Sequence, residues 1–229
     1  MDTNAYLFFL YSIIFWLLSY LIIRRSKSSA NMLFSISTFL FGVGTLFSAL
    51  GWGPFASSNY SILILSYNIL INQLTFFAIA ASFIVIAPLG IYFSGRTILH
   101  GNSGYKDEMA FVLYFIFIVI AVFNLFIYST LTTKDNFIFE DTLTAFILIL
   151  SILIYFNLFK QIPEYRANFT IIILGFLIGL LSLITSIALF FLNYDTIAEV
   201  VRSMGPFLGV LIVLISFTNL PQSIRNRNS

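Results

Sequence analysis

Three amide side chains lie in a part of this sequence that carries no charged residue. Asn68, Asn72 and Gln73 belong to the stretch YNILINQL, inside the uncharged run 61–94. An amide both donates and accepts hydrogen bonds, and a polar group that faces lipid is costly, so we expect these side chains to face other helices. Two interpretations stay open: hydrogen bonds between helices, at about 0.6–2 kcal/mol each, or the wall of a polar pocket that binds a ligand.

A helix over this stretch would place the amides close together. Hydroxyl and amide residues recur at every seventh position, which on a helix forms a single stripe. The stripe consists of Ser61, Asn68, Thr75 and Ser82. Asn72 follows Asn68 by one helical turn, and Gln73 lies about 100° away from Asn72, beside the stripe.

Arg202 is the second candidate for binding chemistry. Thr196 and Glu199 have the spacing of a capping box, which predicts a helix that begins near Thr196. Arg202 would then lie about 9 Å inside that helix, with Glu199 as its partner at i, i+3 spacing. A guanidinium at this place suits a carboxylate, a phosphate or a lipid headgroup, because its planar fork binds such oxygens in pairs. The alternative is a surface ion pair at the level of the headgroups.

Together these residues form our predicted ligand-binding site, an outward-opening polar vestibule between the third and seventh helices. Asn68 and Asn72 would lie about 10 and 16 Å from the start of the third helix, which matches the depth of Arg202 in the seventh. Gln73 would lie beside them and Glu199 at the rim. The prediction assumes that the two helices are neighbours.

Residues for catalysis or metal binding are scarce in the chain. It has no cysteine, which excludes disulfides and thiolate metal sites, and a single histidine, His100. One histidine cannot provide a bis-histidine haem site, and with so few nitrogen and sulfur ligands a zinc or copper site is not expected. No catalytic triad or phosphate-binding loop is present in the sequence. We therefore predict a protein that is not an enzyme, with no catalytic residue, no metal and no cofactor.

The elements that position these side chains must be membrane-spanning helices. Hydrophobic residues make up 60% of the chain and charged residues only 9%, against about 25% in a typical soluble domain. Apolar runs of about 20 residues cross a bilayer as helices, because a helix satisfies its own backbone hydrogen bonds. The sequence predicts an all-α integral membrane protein, a single domain over 1–229 with seven helices. The predicted spans are 6–23, 32–50, 62–93, 109–128, 142–159, 169–194 and 196–220.

The distribution of charge predicts the orientation. Basic residues remain on the cytoplasmic side of short loops. Nine of the eleven Lys and Arg residues follow the first, third, fifth or seventh span, and the exceptions are Lys134 and Arg202. The protein is predicted to lie in the cell membrane. With seven spans, its N-terminus is predicted to lie outside the cell and its C-terminus in the cytoplasm.

Two internal patterns concern the arrangement of the helices. FLFGVGTLFSAL (39–50) and FLIGLLSLITSI (176–187) align without a gap, which suggests two parallel three-helix halves, spans 1–3 and 5–7, joined by span 4. Chance matching among a few apolar residue types is the alternative. GFLIG (175–179) and GPFLG (205–209) have the glycine spacing that lets helices approach closely. We interpret them as packing within the chain, with a dimer contact as the alternative.

The sequence carries only a local family resemblance. LPQSIR, at 220–225, is similar to the proline-glutamine turn of PQ-loop transporters, although there the pair follows the first and fifth helices. No family is assigned on six residues. We expect a receptor-like or sensor-like binding module that acts through a membrane partner; a small-solute transporter with parallel repeats and a structural subunit of a larger complex are the alternatives. The expected partners are the lipid bilayer and a membrane protein or a second copy, with no nucleic acid.

Overall fold

Six long α-helices dominate the computed structural model, which describes residues 3–25, 28–53, 60–64, 67–71, 73–100 and 133–220. The helices are α1 (Thr3–Arg25), α2 (Ser29–Trp52), α3 (Gln73–His100), α4 (Thr133–Gln161), α5 (Arg166–Phe191) and α6 (Asp195–Thr218). A single 3-10 turn, Pro163–Tyr165, joins α4 to α5. All six helices are long and apolar enough to cross a membrane, as the sequence predicts for a multi-pass membrane protein. The predicted span at 109–128 lies outside the described residues.

A β-hairpin replaces the first part of the predicted third span. Strands β1 (Tyr60–Ile64) and β2 (Tyr67–Ile71) pair in antiparallel register, with Leu63 opposite Asn68. Both strands alternate aromatic or β-branched residues with others, a pattern that favours extended backbone. The 28 residues of α3 already extend about 42 Å, more than the roughly 30 Å of a hydrocarbon core. The predicted helix from 62 and its heptad stripe are therefore wrong.

The predicted start of α4 and the predicted capping box of α6 need correction. Helix α4 begins at Thr133 rather than at residue 142, so the acidic residues 140 and 141 lie inside the helix instead of in a loop. Helix α6 begins at Asp195, and among the described residues its N-cap, Tyr194, makes no side-chain capping hydrogen bond. The predicted capping box at Thr196 and Glu199 is therefore not formed.

Neighbouring helices in sequence pack against each other in an antiparallel manner. Ser19 of α1 and Ser35 of α2 each donate a hydrogen bond to the other's backbone carbonyl at 2.9 Å. Between α3 and α4, however, the direction is parallel. The rings of Phe77 and Phe137 lie 6.3 Å apart near the start of both helices, and Gly95 packs against Tyr155 near their ends.

Aromatic rings close the bundle between its first and last helices. Tyr11 of α1 stacks on Phe207 of α6 with ring centroids 3.7 Å apart, and Phe15 meets the same ring edge-on at 5.4 Å. Phe34 of α2 stacks on Phe217 of α6 at 3.9 Å. Since α1 and α6 meet in this way, the described helices surround a common interior.

Glycines bring α5 and α6 into backbone contact. A Cβ atom added at Gly175 would lie 2.7 Å from the carbonyl oxygen of Gly209, and one added at Gly209 would lie 2.5 Å from that of Gly175. The two glycine motifs therefore pack against each other within the chain. The fit is uneven along α5, because a Cβ at Gly179 would meet its nearest atom, Cδ1 of Leu148, at an ordinary 3.4 Å.

We expect Gly175→Ala to lower the free energy of unfolding by about 1–3 kcal/mol, because the new methyl group must push α6 away. Gly179→Ala in the same motif is the matched control and should be neutral or slightly stabilising, since alanine favours helix more than glycine does. Denaturant unfolding of the purified proteins in detergent measures both. Equal destabilisation by the two substitutions would contradict the described contact between α5 and α6.

Candidate ligand-binding site

A cavity of about 110 Å³ lies inside the bundle, and all six described helices line it. It is located near the starts of α1, α3, α4 and α6. Nine aromatic side chains line it: Phe8, Tyr11, Phe15, Phe41, Trp52, Phe77, Phe137, Phe176 and Phe207. The polar lining residues are Thr45, Ser48, Glu140, Asp141, Thr144, Arg202 and Ser203. The cavity is therefore mostly apolar, with a small polar region, as ligand sites commonly are.

The charged part of this wall is an acid–arginine cluster formed by Glu140, Asp141, Ser186 and Arg202. Nε of Arg202 donates a hydrogen bond to Oδ1 of Asp141 at 2.8 Å, and Nη2 of the same guanidinium donates to Oε2 of Glu140. The hydroxyl of Ser186 donates to the other oxygen of Asp141 at 3.0 Å. The cluster thus connects α4, α5 and α6 through side chains.

Burial makes these contacts necessary. Glu140 and Asp141 are only 3% and 2% exposed, and the side chain of Arg202 is 18% exposed. A carboxylate without a partner at such a place would cost several kcal/mol, whereas paired and hydrogen-bonded carboxylates are tolerated. The guanidinium also lies over the ring of Phe137, 4.2 Å from its centroid, which adds a cation–π attraction.

Helix geometry explains why these side chains meet. Helices α4 and α6 are both antiparallel to α5, so they start at the same end of the bundle. Asp141 lies about 12 Å from the start of α4 at Thr133, and Arg202 lies about 10 Å from the start of α6 at Asp195. The two charges are therefore at the same depth, and Glu140 is one residue nearer to the helix start.

Thr144 adds a polar group to the cavity wall that lacks a hydrogen bond. It lies one turn after Glu140 on α4 and is only 6% exposed. Its hydroxyl oxygen has no partner among the described residues, whereas Thr142 and Ser151 on the same helix donate to the carbonyl one turn earlier. A buried hydroxyl without a partner costs about 1–3 kcal/mol. A molecule in the cavity can supply the missing bond.

The structure places some of the predicted site residues at the cavity and others away from it or outside the described residues. Arg202 lines the cavity, and Glu199, which is partly buried, interacts with it electrostatically. Gln73 is the first residue of α3 and is not among the described lining residues. Asn68 lies on β2 instead of a helix, its side chain is outside the described part of the structure, and so is the whole of Asn72. A contribution of these two amides to binding stays a prediction.

Sequence reasoning did not identify Glu140, Asp141 and Thr144 as site residues. The sequence places the first two in an outer loop, because the apolar span predicted from it begins at residue 142. A signal was nevertheless present. An arginine inside an apolar helix needs an acidic partner, and the segment before 142 contains no proline or glycine that would stop a helix from starting earlier.

Neither a metal-binding group nor a known relative points to a ligand for this cavity. Among the described residues, no group of three or more His, Asp or Glu side chains is arranged to hold a metal ion. Comparison with protein-family models, curated proteins and solved structures found no match to this chain.

The acid–arginine cluster gives a direct test of this geometry. We expect Arg202→Met to reduce the free energy of unfolding by about 3–5 kcal/mol, because two buried carboxylates lose their cation. Combining it with Glu140→Gln and Asp141→Asn should recover most of this loss. Arg166→Met, at an exposed position of α5, is the matched control and should change stability by less than about 1 kcal/mol. Equal effects of the two arginine substitutions in denaturant unfolding would contradict the buried ion pairs.

Proposed function

We propose that this chain is a non-enzymatic seven-helix membrane protein whose central cavity binds a small molecule, in the manner of a receptor or sensor. The cavity carries the proposal, because all six described helices contribute to it and its wall includes a charged region formed by Glu140, Asp141 and Arg202. A hydroxyl without a partner in that region, on Thr144, favours an occupant that forms hydrogen bonds. No reaction is proposed for the site.

The direction of the helices supports seven spans. Since α3 and α4 run parallel, the chain between them has to return across the bilayer. The predicted span at 109–128, with 20 mostly apolar residues, has the length needed for one crossing. The seven spans in chain order are then α1, α2, α3, the predicted span at 109–128, α4, α5 and α6.

Charge supports the orientation with the N-terminus outside and the C-terminus inside the cell. Arg24 is in the last turn of α1, Lys160 is in the last turn of α4, and Arg166 starts α5. All three lie at the end of the bundle away from the cavity. By the positive-inside rule that end is cytoplasmic, so the cavity would lie in the outer half of the membrane and receive its ligand from outside.

An output to another membrane protein is consistent with the outer surface of the bundle. Large apolar side chains such as Leu17 of α1 and Leu181 of α5 are exposed, so these faces would contact lipid, a partner protein or a second copy. A ligand that contacts the acid–arginine cluster would alter the packing of three helices at once. The signal would then pass through helix contacts within the membrane.

Transport of a small solute is the second candidate, and one observation favours it. Helices α1 to α3 and α4 to α6 follow the same sequence of directions, and the cavity lies between these two sets. Transporters built from parallel repeats bind their substrates at the interface between the repeats. Under this proposal the two sets are the halves suggested by the aligned segments at 39–50 and 176–187.

Single cysteines test the topology, since the chain contains no native cysteine. We expect Asp195→Cys, at the exposed start of α6, to react with a membrane-impermeant maleimide on intact cells. Asn102→Cys, after α3, and Gln161→Cys, at the end of α4, should react only after permeabilisation. Labelling of positions 102 and 161 from opposite sides would rule out the seven-span arrangement.

Cavity filling tests the binding function. We expect Ala81→Leu, at a buried lining position of α3, to remove the small molecules that co-purify with the wild type in mild detergent. Ala188→Leu, at an exposed position of α5, is the matched control and should leave them in place. Native mass spectrometry identifies the bound molecules. The same molecules on Ala81→Leu and wild-type protein would refute binding in the cavity.

Solute flux separates the two candidate functions. If the identified molecule crosses the membrane of proteoliposomes that contain the protein, and Ala81→Leu stops this flux, the protein is a transporter. Binding without flux supports the receptor-like function.

A further inference from the structure

We infer that the ligand of the cavity is a small organic cation with an N–H donor, such as a protonated amine. Its charged head would lie beside Glu140 and Asp141, and its apolar body would lie among the aromatic rings. This inference rests on the proposed function, because it specifies the chemical class of the molecule that the cavity binds.

The balance of charge in the cavity wall is the first reason. Among the described lining residues there are two carboxylates, Glu140 and Asp141, and one guanidinium, Arg202. An anion that approached Arg202 would meet both carboxylates at the same place, and like charges at short range in apolar surroundings repel strongly. Among these described residues the carboxylates outnumber the guanidinium by one, and an intramembrane cation needs an acidic partner.

The aromatic wall is the second reason. An aromatic face attracts cations because the ring carries negative charge density above its plane. The cavity already contains one such contact, with the guanidinium of Arg202 over Phe137 at 4.2 Å. Further rings from Tyr11, Trp52 and Phe77 line the same space. Sites that recognise ammonium groups use aromatic faces in this way.

The hydroxyl of Thr144 is the third reason, and it is independent of the charges. It is buried and has no partner among the described residues, and it lies one turn from Glu140 along α4. A hydroxyl oxygen has two lone pairs and accepts a hydrogen bond from an ammonium N–H. The carboxylate of Glu140 and the hydroxyl of Thr144 therefore offer two acceptors for a single ammonium group.

The volume limits the size of this cation. A cavity of about 150 Å³ holds one benzene molecule, which has about six non-hydrogen atoms. The present cavity measures about 110 Å³, so the part of the ligand that enters it has a similar or slightly smaller size. Isobutylamine fits this limit, and its amine is protonated at neutral pH, as that of lysine is.

A matched series of three compounds tests the charge preference without altering the cavity. Isobutylamine, isobutanol and isobutyrate share their branched body and differ in charge. Trp52 lines the cavity, and Trp16→Phe makes it the single tryptophan, because the chain contains two. In this protein, reconstituted in phosphatidylcholine nanodiscs, we expect isobutylamine to change Trp52 fluorescence saturably, with an affinity at least about tenfold above that of isobutanol (about 1.4 kcal/mol). Isobutyrate should show no saturable change.

Two variants place the ammonium group. Thr144→Val should weaken the binding of isobutylamine about three- to tenfold, because an acceptor is lost, and should leave the binding of isobutanol less affected. Thr142→Val is the control, since Thr142 is exposed on the same helix and donates to the carbonyl of Ile138 at 2.7 Å. Equal unfolding midpoints of the two variants make their affinities comparable. Equal affinities for isobutylamine would remove Thr144 from the site and overturn the proposed placement.

The outcomes distinguish this inference from the proposed function. Isobutanol or isobutyrate binding as tightly as isobutylamine overturns the cation preference, while binding in the cavity stands. Saturable binding of none of the three also overturns it. The proposed function fails as well only if Ala81→Leu and the wild type retain the same co-purified molecules.

Discussion

The buried charge of Arg202 is the constraint on which the arrangement of the second half of the chain depends. A guanidinium inside an apolar bundle has to meet carboxylates, and Glu140 and Asp141 provide them from the facing side of α4. Because the contact includes Ser186 of α5, it fixes the positions of three helices along their axes. A shift of α4 by one residue, about 1.5 Å and 100° of rotation, would turn one of the two carboxylates away. The cluster therefore specifies a register that apolar packing alone would leave loosely defined.

Two kinds of helix contact differ in how closely they bring the helices together. Some consecutive helices approach through small residues, as at Gly175 and Gly209 or at the reciprocal serines 19 and 35. Helices α1 and α6 instead meet through the large stacked rings of Tyr11 and Phe207. Rings hold two helices further apart than glycines do, and Tyr11 and Phe207 both line the cavity.

The sequence was sufficient to predict the class of the protein and five of the six described helices in approximate position, because long apolar runs have few alternatives in lipid. It was not sufficient for the hairpin at 60–71, because an apolar run of isoleucine, leucine and tyrosine does not distinguish strand from helix by composition alone. The partners of Arg202 were missed for a related reason. Acidic residues mark a loop in most membrane proteins, and only the pairing across two helices makes Glu140 and Asp141 acceptable inside α4.

The parallel packing of α3 on α4 has a consequence for the order in which the protein assembles. Antiparallel neighbours such as α1 and α2 can associate as soon as both have been synthesised, since a short connection closes at little entropic cost. The contact between Gly95 and Tyr155 instead joins residues that are distant in sequence, and it has to wait until residues 101–132 have been synthesised. Contacts of this kind form late and slowly. The protein should therefore assemble as two hairpin-built units that dock afterwards, and their seam, where the cavity lies, is the last part of the molecule to form.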